Sequence, residues 1–383
     1  MSVATLLRRG SVALLVLGAC GALHAHEDEA AAAARHPQRV ALLARAQSEL
    51  ERSDASAALD DFERAAMMLH AADAELGLIR AAMQDGQYRR ALAFCAHTAG
   101  EHVDDADGGA LYAWLLRIGG QAGQSSRVLA DVRAHAPDDA VGIAVERALA
   151  TSPPVASGVL LQALHRMAPW PVMLEGQAPP PATARVASSG VLVGDGATAL
   201  VPLSLLPAPA NARVWVRNGL GQTTAATLDA SDAALSSHGL ARLALQARLP
   251  TGVSTASAGR APFAGSPGHA MQFGGGDAPA WPALSQGFLG GLVGDTDVRR
   301  LGFDAGTGAA VLDATGTLVG IVSSTMDGES RWVPLSALAS TTTQQSAVPA
   351  AAARVGLALV APDAIYERGL RRVLQVLVDS ERP

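Results

Sequence analysis

Phe303-Asp304-Ala305-Gly306-Thr307-Gly308-Ala309-Ala310-Val311-Leu312-Asp313-Ala314-Thr315-Gly316-Thr317-Leu318-Val319-Gly320-Ile321-Val322-Ser323 is the stretch on which the reading of this chain turns. Gly306 and Gly308 make a turn-prone lead-in, and residues 309–312 form a short apolar strand. Thr315-Gly316 supplies a hairpin turn, and residues 318–323 form a second apolar strand.

Working outward, the same short-strand texture extends from residue 185 to 338. Residues 186–193, 198–206, 214–217, 223–228, 240–245, 269–273, 288–293 and 332–334 are apolar or alternating runs punctuated by Gly, Asn or Asp. Together with the two strands of the opening stretch they predict an all-β barrel or sandwich, because no helical period interrupts them.

Before that region the period is helical. From 39 to 151 apolar residues recur three and four apart, as in Leu42, Leu43, Ala46 and Leu50. Gly86-Gln87-Tyr88-Arg89-Arg90-Ala91-Leu92 recurs as Gly123-Gln124-Ser125-Ser126-Arg127-Val128-Leu129, with a fainter copy ending in Ala58-Leu59 after Ser53-Asp54. This phrase resembles the opening of the second helix of a tetratricopeptide repeat, whose period is about 34 residues. The resemblance implies three helix pairs, closed by a capping helix from Asp138-Asp139 to Leu149. Ser152-Pro153-Pro154 breaks the pattern, residues 158–167 read as one more helix, and Pro179-Pro180-Pro181 marks entry into the β region. After a Ser/Thr/Gln/Ala-rich linker at 339–361, residues 362–380 read as an amphipathic closing helix, with Ile365, Leu370, Val373, Leu374 and Leu377 on one face.

Composition removes several classes of chemistry. All 29 cationic residues are arginine, so Ser-Lys dyads, Schiff-base lysines and phosphate-loop lysines are excluded. A net charge of −6 without a basic run argues against a nucleic-acid partner. Arg8 and Arg9 followed by the apolar run 11–23 read as an export leader, with Leu23-His24-Ala25 as its cleavage site and residues 1–25 removed. Leu17-Gly18-Ala19-Cys20 resembles a lipobox, which makes Cys20 a lipidation candidate and the one route to a membrane. Either way a periplasmic location is expected. Cys95 is then left without a partner, and no disulfide supports the fold. The His24-Ala25-His26-Glu27-Asp28-Glu29 tract lies at that leader's end, and no metal or cofactor is expected.

The opening stretch resembles the nucleophile loop of trypsin-like serine peptidases of the HtrA type, Gly-x-Ser-Gly-Gly-Pro-Leu-Leu-Asp-x-x-Gly-x-Leu-Val-Gly-Ile-Val-Ser. Further phrases match in order. They are Ser188-Ser189-Gly190-Val191-Leu192-Val193-Gly194-Asp195-Gly196, then the 264–276 run around His269-Ala270-Met271-Gln272-Phe273, and Trp332-Val333-Pro334-Leu335-Ser336-Ala337-Leu338. The resemblance implies a chymotrypsin-type double barrel over 185–338. The whole chain is then a multidomain α + β protein: a helical repeat module, a trypsin-like double barrel and a C-terminal helix.

Acyl transfer by such a site needs a hydroxyl, a histidine base and a carboxylate that orients it. Aligned on the family's motifs, Ser204 stands at the histidine, Gly239 at the aspartate and Thr307 at the serine. His238 precedes Gly239 and would point to the opposite face of an extended strand. His269 and His165 are read as structural. A threonine hydroxyl without a base is a poor nucleophile. What the loop still offers is the backbone N–H groups of Ala305, Gly306 and Thr307 as an anion pocket. The expectation is a pseudo-peptidase with no catalytic residues that binds a protein or peptide. Its rival is a hydrolase using Thr307 with help from Ser204 or His238. A third reading gives all binding to the repeats and leaves the β domain as a stabilising appendage.

Overall fold

The computed structural model describes residues 36–103, 105–206, 213–229, 231–251, 262–326, 328–339 and 359–379. The expected export leader at 1–25, with Cys20 and His24, lies outside the described residues, as do His26 and most of 339–361.

Among the described residues seven helices fill the N-terminal region: α1 (Pro37–Glu51), α2 (Ala55–Met68), α3 (Ala72–Asp85), α4 (Tyr88–Glu101), α5 (Ala106–Ile118), α6 (Ala122–His135) and α7 (Ala140–Leu149). The second helix of each pair begins at Ala55, Tyr88 and Ala122, intervals of 33 and 34 residues. The turn before each is made by a left-handed residue: Ser53 (φ 66°), Gly86 (φ 84°) and Gly120 (φ 84°). Gly120, not Gly123, is therefore the partner of Gly86, and Gly123 sits inside the first turn of α6. The small residue five positions on, Ala58, Ala91 or Ser125, is buried each time and lets the paired helices approach closely.

α3 is buried along its whole length from Ala74 to Gln84, and α5 is nearly so. The first helix of a pair in an isolated array has a face to solvent. Here that face is covered by Leu160, Met167, Leu220, Phe273, Trp281 and Leu284, which share one apolar core with the helices. Gln84 stitches the contact, its amide donating to Leu220 O at 3.0 Å and accepting from Trp170 N–H at 2.7 Å.

The expected helix at 158–167 is reduced to one 3₁₀ turn, Gly158–Leu161. Gln162 is already extended, and the buried guanidinium of Arg166 donates to the carbonyls of Leu161, Ala168 and Pro169 at 2.8–3.1 Å. Those side-chain bonds take the place of helical ones. Burial pulls the Arg166 pKa down to about 10, so it stays cationic at neutral pH.

Two closed antiparallel barrels follow. The first contains β2 (Arg185–Val193), β3 (Thr198–Pro202), β4 (Arg213–Asn218), β5 (Gln222–Asp229) and β6 (Leu240–Leu245), with the short helix α8 (Ala233–Ser237) between the last two. A two-residue strand β1 (Val172–Met173) adds to β5 in parallel. The second contains β7 (Pro267–Gln272), β8 (Ala283–Leu292), β9 (Arg299–Leu301), β10 (Ala310–Asp313), β11 (Leu318–Met326) and β12 (Glu329–Pro334), followed by α9 (Leu335–Ala339). This pair of six-stranded barrels fits the expected chymotrypsin-like architecture.

The chain end corrects the sequence reading. The closing helix, α10, runs only from Pro362 to Gly369, and Val373–Asp379 is a strand, β13. β13 lies between β2 and β4 and completes the first barrel. Leu374, Val376 and Val378 point into the barrel core with Leu192, Val201 and Val216. Val373 instead joins the core beneath the helices, and Leu377 packs on Trp215. A segment buried on both faces carries no polar stripe, which is why its apolar run imitated one side of a helix. Gly369 ends α10 against Met271, whose thioether occupies the space a Cβ would need.

Leu374→Ala should lower unfolding free energy by about 2–5 kcal/mol, measured by urea denaturation, because its side chain is fully buried in the barrel. A chain stopped at Arg372 should be recovered as aggregate, since β2 and β4 would both become open edges.

Candidate functional site

The cleft between the barrels is built on the loop that opens the deciding stretch. Gly308, in the left-handed region at φ 89°, brings the loop onto Ser189 O of β2 and the ring of Pro202 at the end of β3. Its N–H donates to Val322 O at 2.8 Å, tying the loop to β11. Ser189 adds a stitch between barrels, its Oγ accepting from Phe273 N–H at 3.0 Å. Residues from both barrels thus face one opening of about 740 Å³.

Of the three positions aligned on the family's motifs, Thr307 lines this opening, while Ser204 and Gly239 do not. Leu203 N–H donates to Gly239 O at 2.9 Å, which sets the Ser204 turn beside Gly239. Ser204 is exposed, and its neighbour Leu205 is the residue of that turn that lines the cleft. Gly239 has φ 71°, a conformation in which an aspartate would be strained. Asp232, the nearby carboxylate on α8, caps that helix and pairs with Arg242 at 3.0 Å. Among the described residues the Thr307 hydroxyl makes no hydrogen bond, and Asp304 is the one ionisable side chain lining the cleft.

None of the weighed histidines lines it. His165 lies 2.8 Å from Asp107 of the helical module. His238 caps α8 beside Gly239. His269 is on β7, whose alternation puts Ala270 and Gln272 toward the barrel interior and cleft and His269 on the opposite face. Burial holds the His269 pKa below its ordinary 6.5, opposed weakly by the carbonyl and carboxylate of Asp313.

The anion pocket expected from Ala305, Gly306 and Thr307 is mostly filled by the protein itself. Ala305 N–H donates to Ser330 Oγ at 2.9 Å, and the same hydroxyl donates back to Ala305 O at 2.8 Å. Gly306 N–H donates to Gln272 Oε1. Ser330 is buried, so its bond is not easily exchanged for one to a ligand. Sequence reading missed Gln272 and Ser330 because they sit 34 and 25 residues from their partners, on β7 and β12. No local signal marks either one.

The lining combines Ser188, Ser189, Thr307, Thr325 and Ser330 hydroxyls with glycine backbone and the apolar groups of Val186, Leu205 and Phe273. At its edge β11 offers backbone. β10 pairs with β11 only as far as Ile321, while β12 follows β11 out to Met326, so residues 324–326 are paired on one side. Among the described lining residues the Thr307 hydroxyl has no histidine beside it, and the amides of Ala305 and Gly306 are already hydrogen-bonded. The same surface suits an extended, uncharged chain.

Ser330→Ala leaves a buried N–H unsatisfied and should cost about 1–3 kcal/mol in urea denaturation. Gln272→Ala, whose partner Gly306 is exposed, should cost clearly less because water replaces the amide. A histidine whose folded pKa is depressed supplies stability that is present above its unfolded pKa, roughly 6.5, and lost as pH falls. The urea midpoint of wild type should therefore fall between pH 8 and pH 5 by more than that of His269→Gln; equal slopes would remove His269 from the account.

The chain is similar to the crystal structure of the MamO protease domain from Magnetospirillum magneticum in its apo form, at 20% sequence identity and a TM-score of 0.32, covering 43% of this chain and 99% of that one. No family model and no curated protein matches the chain.

Proposed function

We propose that this chain is an exported pseudo-peptidase, a trypsin-like double barrel without peptidase activity that binds an extended peptide or protein segment in its inter-barrel cleft. The observation that carries the reading is the lining of that cleft. Among the described residues it holds no histidine, cysteine or lysine, and two of the three loop amides are bonded within the protein. The half-open edge of β11 supplies backbone donors and acceptors for strand addition.

Export rests on the leader at 1–25, with Cys20 as the lipidation candidate that would hold the chain at the periplasmic membrane surface. A tetratricopeptide-like identity for the helices is supported by their 33- and 34-residue intervals and by the Ala58, Ala91 and Ser125 positions. Their role is to brace the barrels rather than to offer a second groove, because α3 and α5 are already covered. This assigns binding to the β cleft instead of to the repeats.

Two measurements on the full chain test the reading. A fluorophosphonate probe should leave the protein unlabelled, and labelling at Thr307 that disappears in Thr307→Ala would replace this reading with that of an active hydrolase. Peptides selected from a random extended library on immobilised protein should lose at least tenfold in affinity, about 1.4 kcal/mol, on Gly275→Trp. Gly275 lines the cleft with open space where a side chain would go, so the substitution fills the cleft without strain. Unchanged affinity would place binding elsewhere.

A further inference from the structure

At the far end of the α3–α4 hairpin three histidines converge on one buried carboxylate. Glu75, in the first turn of α3, has a side chain only 5% exposed. His70 in the α2–α3 turn places Nε2 2.5 Å from Glu75 Oε1. His97, in the last turns of α4, places Nε2 3.6 Å from the same oxygen and 3.1 Å from His70 Nε2. His102, which caps α4, places Nε2 3.5 Å from Glu75 Oε2.

Three features separate this cluster from an ordinary salt bridge. Other buried carboxylates are held by arginine, Asp61 by Arg45 and Arg64 and Asp379 by Arg213. Among the described residues Glu75 has only imidazoles in ion-pair range. Secondly, His102 Nε2 is buried without a hydrogen-bond partner, although it faces the carboxylate. Thirdly, the nitrogens of His70 and His97 face each other, where only one can donate. A shared cation satisfies all of these lone pairs together.

We propose that His70, Glu75 and His102 form a binding site for a zinc-class divalent metal ion, with His97 beside His70 as the candidate fourth ligand. Imidazole and carboxylate ligands at about 2.0–2.2 Å from a tetrahedral ion stand roughly 3.3 Å apart. The His70–His97 and His97–Oε1 contacts of 3.1 and 3.6 Å are near that edge, His102 Nε2 lies 3.5 Å from the other oxygen, Oε2, and the ligand atoms of His70, Glu75 and His102 all lie within 4.8 Å of one another. The shorter His70–Glu75 contact opens to it if His70, the most exposed of the four, swings outward by less than about 1 Å. Thr98, fully buried, donates to Glu75 Oε2 at 2.7 Å and orients the carboxylate, as outer partners of metal ligands do. A ligand set of imidazoles with one carboxylate favours zinc over magnesium or calcium, which take oxygen ligands. The bound ion ties the α2–α3 turn to both helices of the second pair.

The test uses the full chain stripped with EDTA and titrated with zinc chloride by calorimetry, with magnesium chloride in parallel. One equivalent of zinc should bind and raise the thermal midpoint, while magnesium does neither. His70→Ala and His102→Ala should each weaken zinc by more than about 100-fold, since even an outer-shell change costs 10–100-fold. His70 is exposed, so its variant keeps the fold, checked by an unchanged circular dichroism spectrum. His26→Ala should bind like wild type. No zinc binding, equal binding in the His70 and His102 variants, or loss in His26→Ala would each overturn the site.

Discussion

Closure of the first barrel by the last strand is the constraint on which the rest depends. β13 supplies the strand between β2 and β4, and every one of its seven residues is buried. It also fixes the charged rim: Asp379 takes Arg213 and the Thr183 hydroxyl, and Gln375 donates to Ala278 O at 3.2 Å. Residues almost two hundred positions apart therefore make one sheet, and no contiguous fragment from 185 to 338 contains a whole first barrel. The loop-closure entropy of such a pairing grows only slowly with length, so the long detour is thermodynamically tolerable.

α10 transmits that constraint to the helices. The Tyr366 ring lies 4.3 Å from that of Tyr88 at the start of α4, and its hydroxyl donates to Pro282 O at 2.8 Å. Tyr88 in turn donates to Leu115 O at 2.9 Å within α5, and Arg89 pairs with Glu367 at the rim. The helical array, the first barrel and the second barrel thus meet around two buried tyrosines. Burial raises the pKa of both phenols, so they remain neutral donors at any ordinary pH.

Legibility in the sequence followed the range of the interaction. The strands flanking Thr315-Gly316 and the helix pairs were readable because turn chemistry and period are local, and Gly86 marks its own turn. The register of the third pair was misjudged because Gly120-Gln121 and Gly123-Gln124 repeat each other three residues apart. β13 reads as helix in the sequence because Leu374 and Val376 face one core while Val373 and Leu377 face others. Ser204, Gly239 and Thr307 can be aligned by motif, but the groups that fill the loop amides cannot. Gln272 and Ser330 act through tertiary placement alone.

What remains open in the molecule follows from what the fold has closed. Both barrels are complete, so their strands offer no full edge. The exposed face that α3 and α5 would present as a lone array is part of the shared core. The loop at 305–306 has its amides bonded to Ser330 and Gln272. Among the described strands that border the cleft, β11 retains at residues 324–326 backbone paired on one side, and Thr325 in that segment lines the opening. In the proposed reading, a cleft with a half-open strand and with Ser204, Gly239 and Thr307 at the motif-aligned positions holds a chain without cutting it. Rigid bracing by the helices suits that task, because binding to a preformed cleft loses less conformational entropy than binding to a loose one.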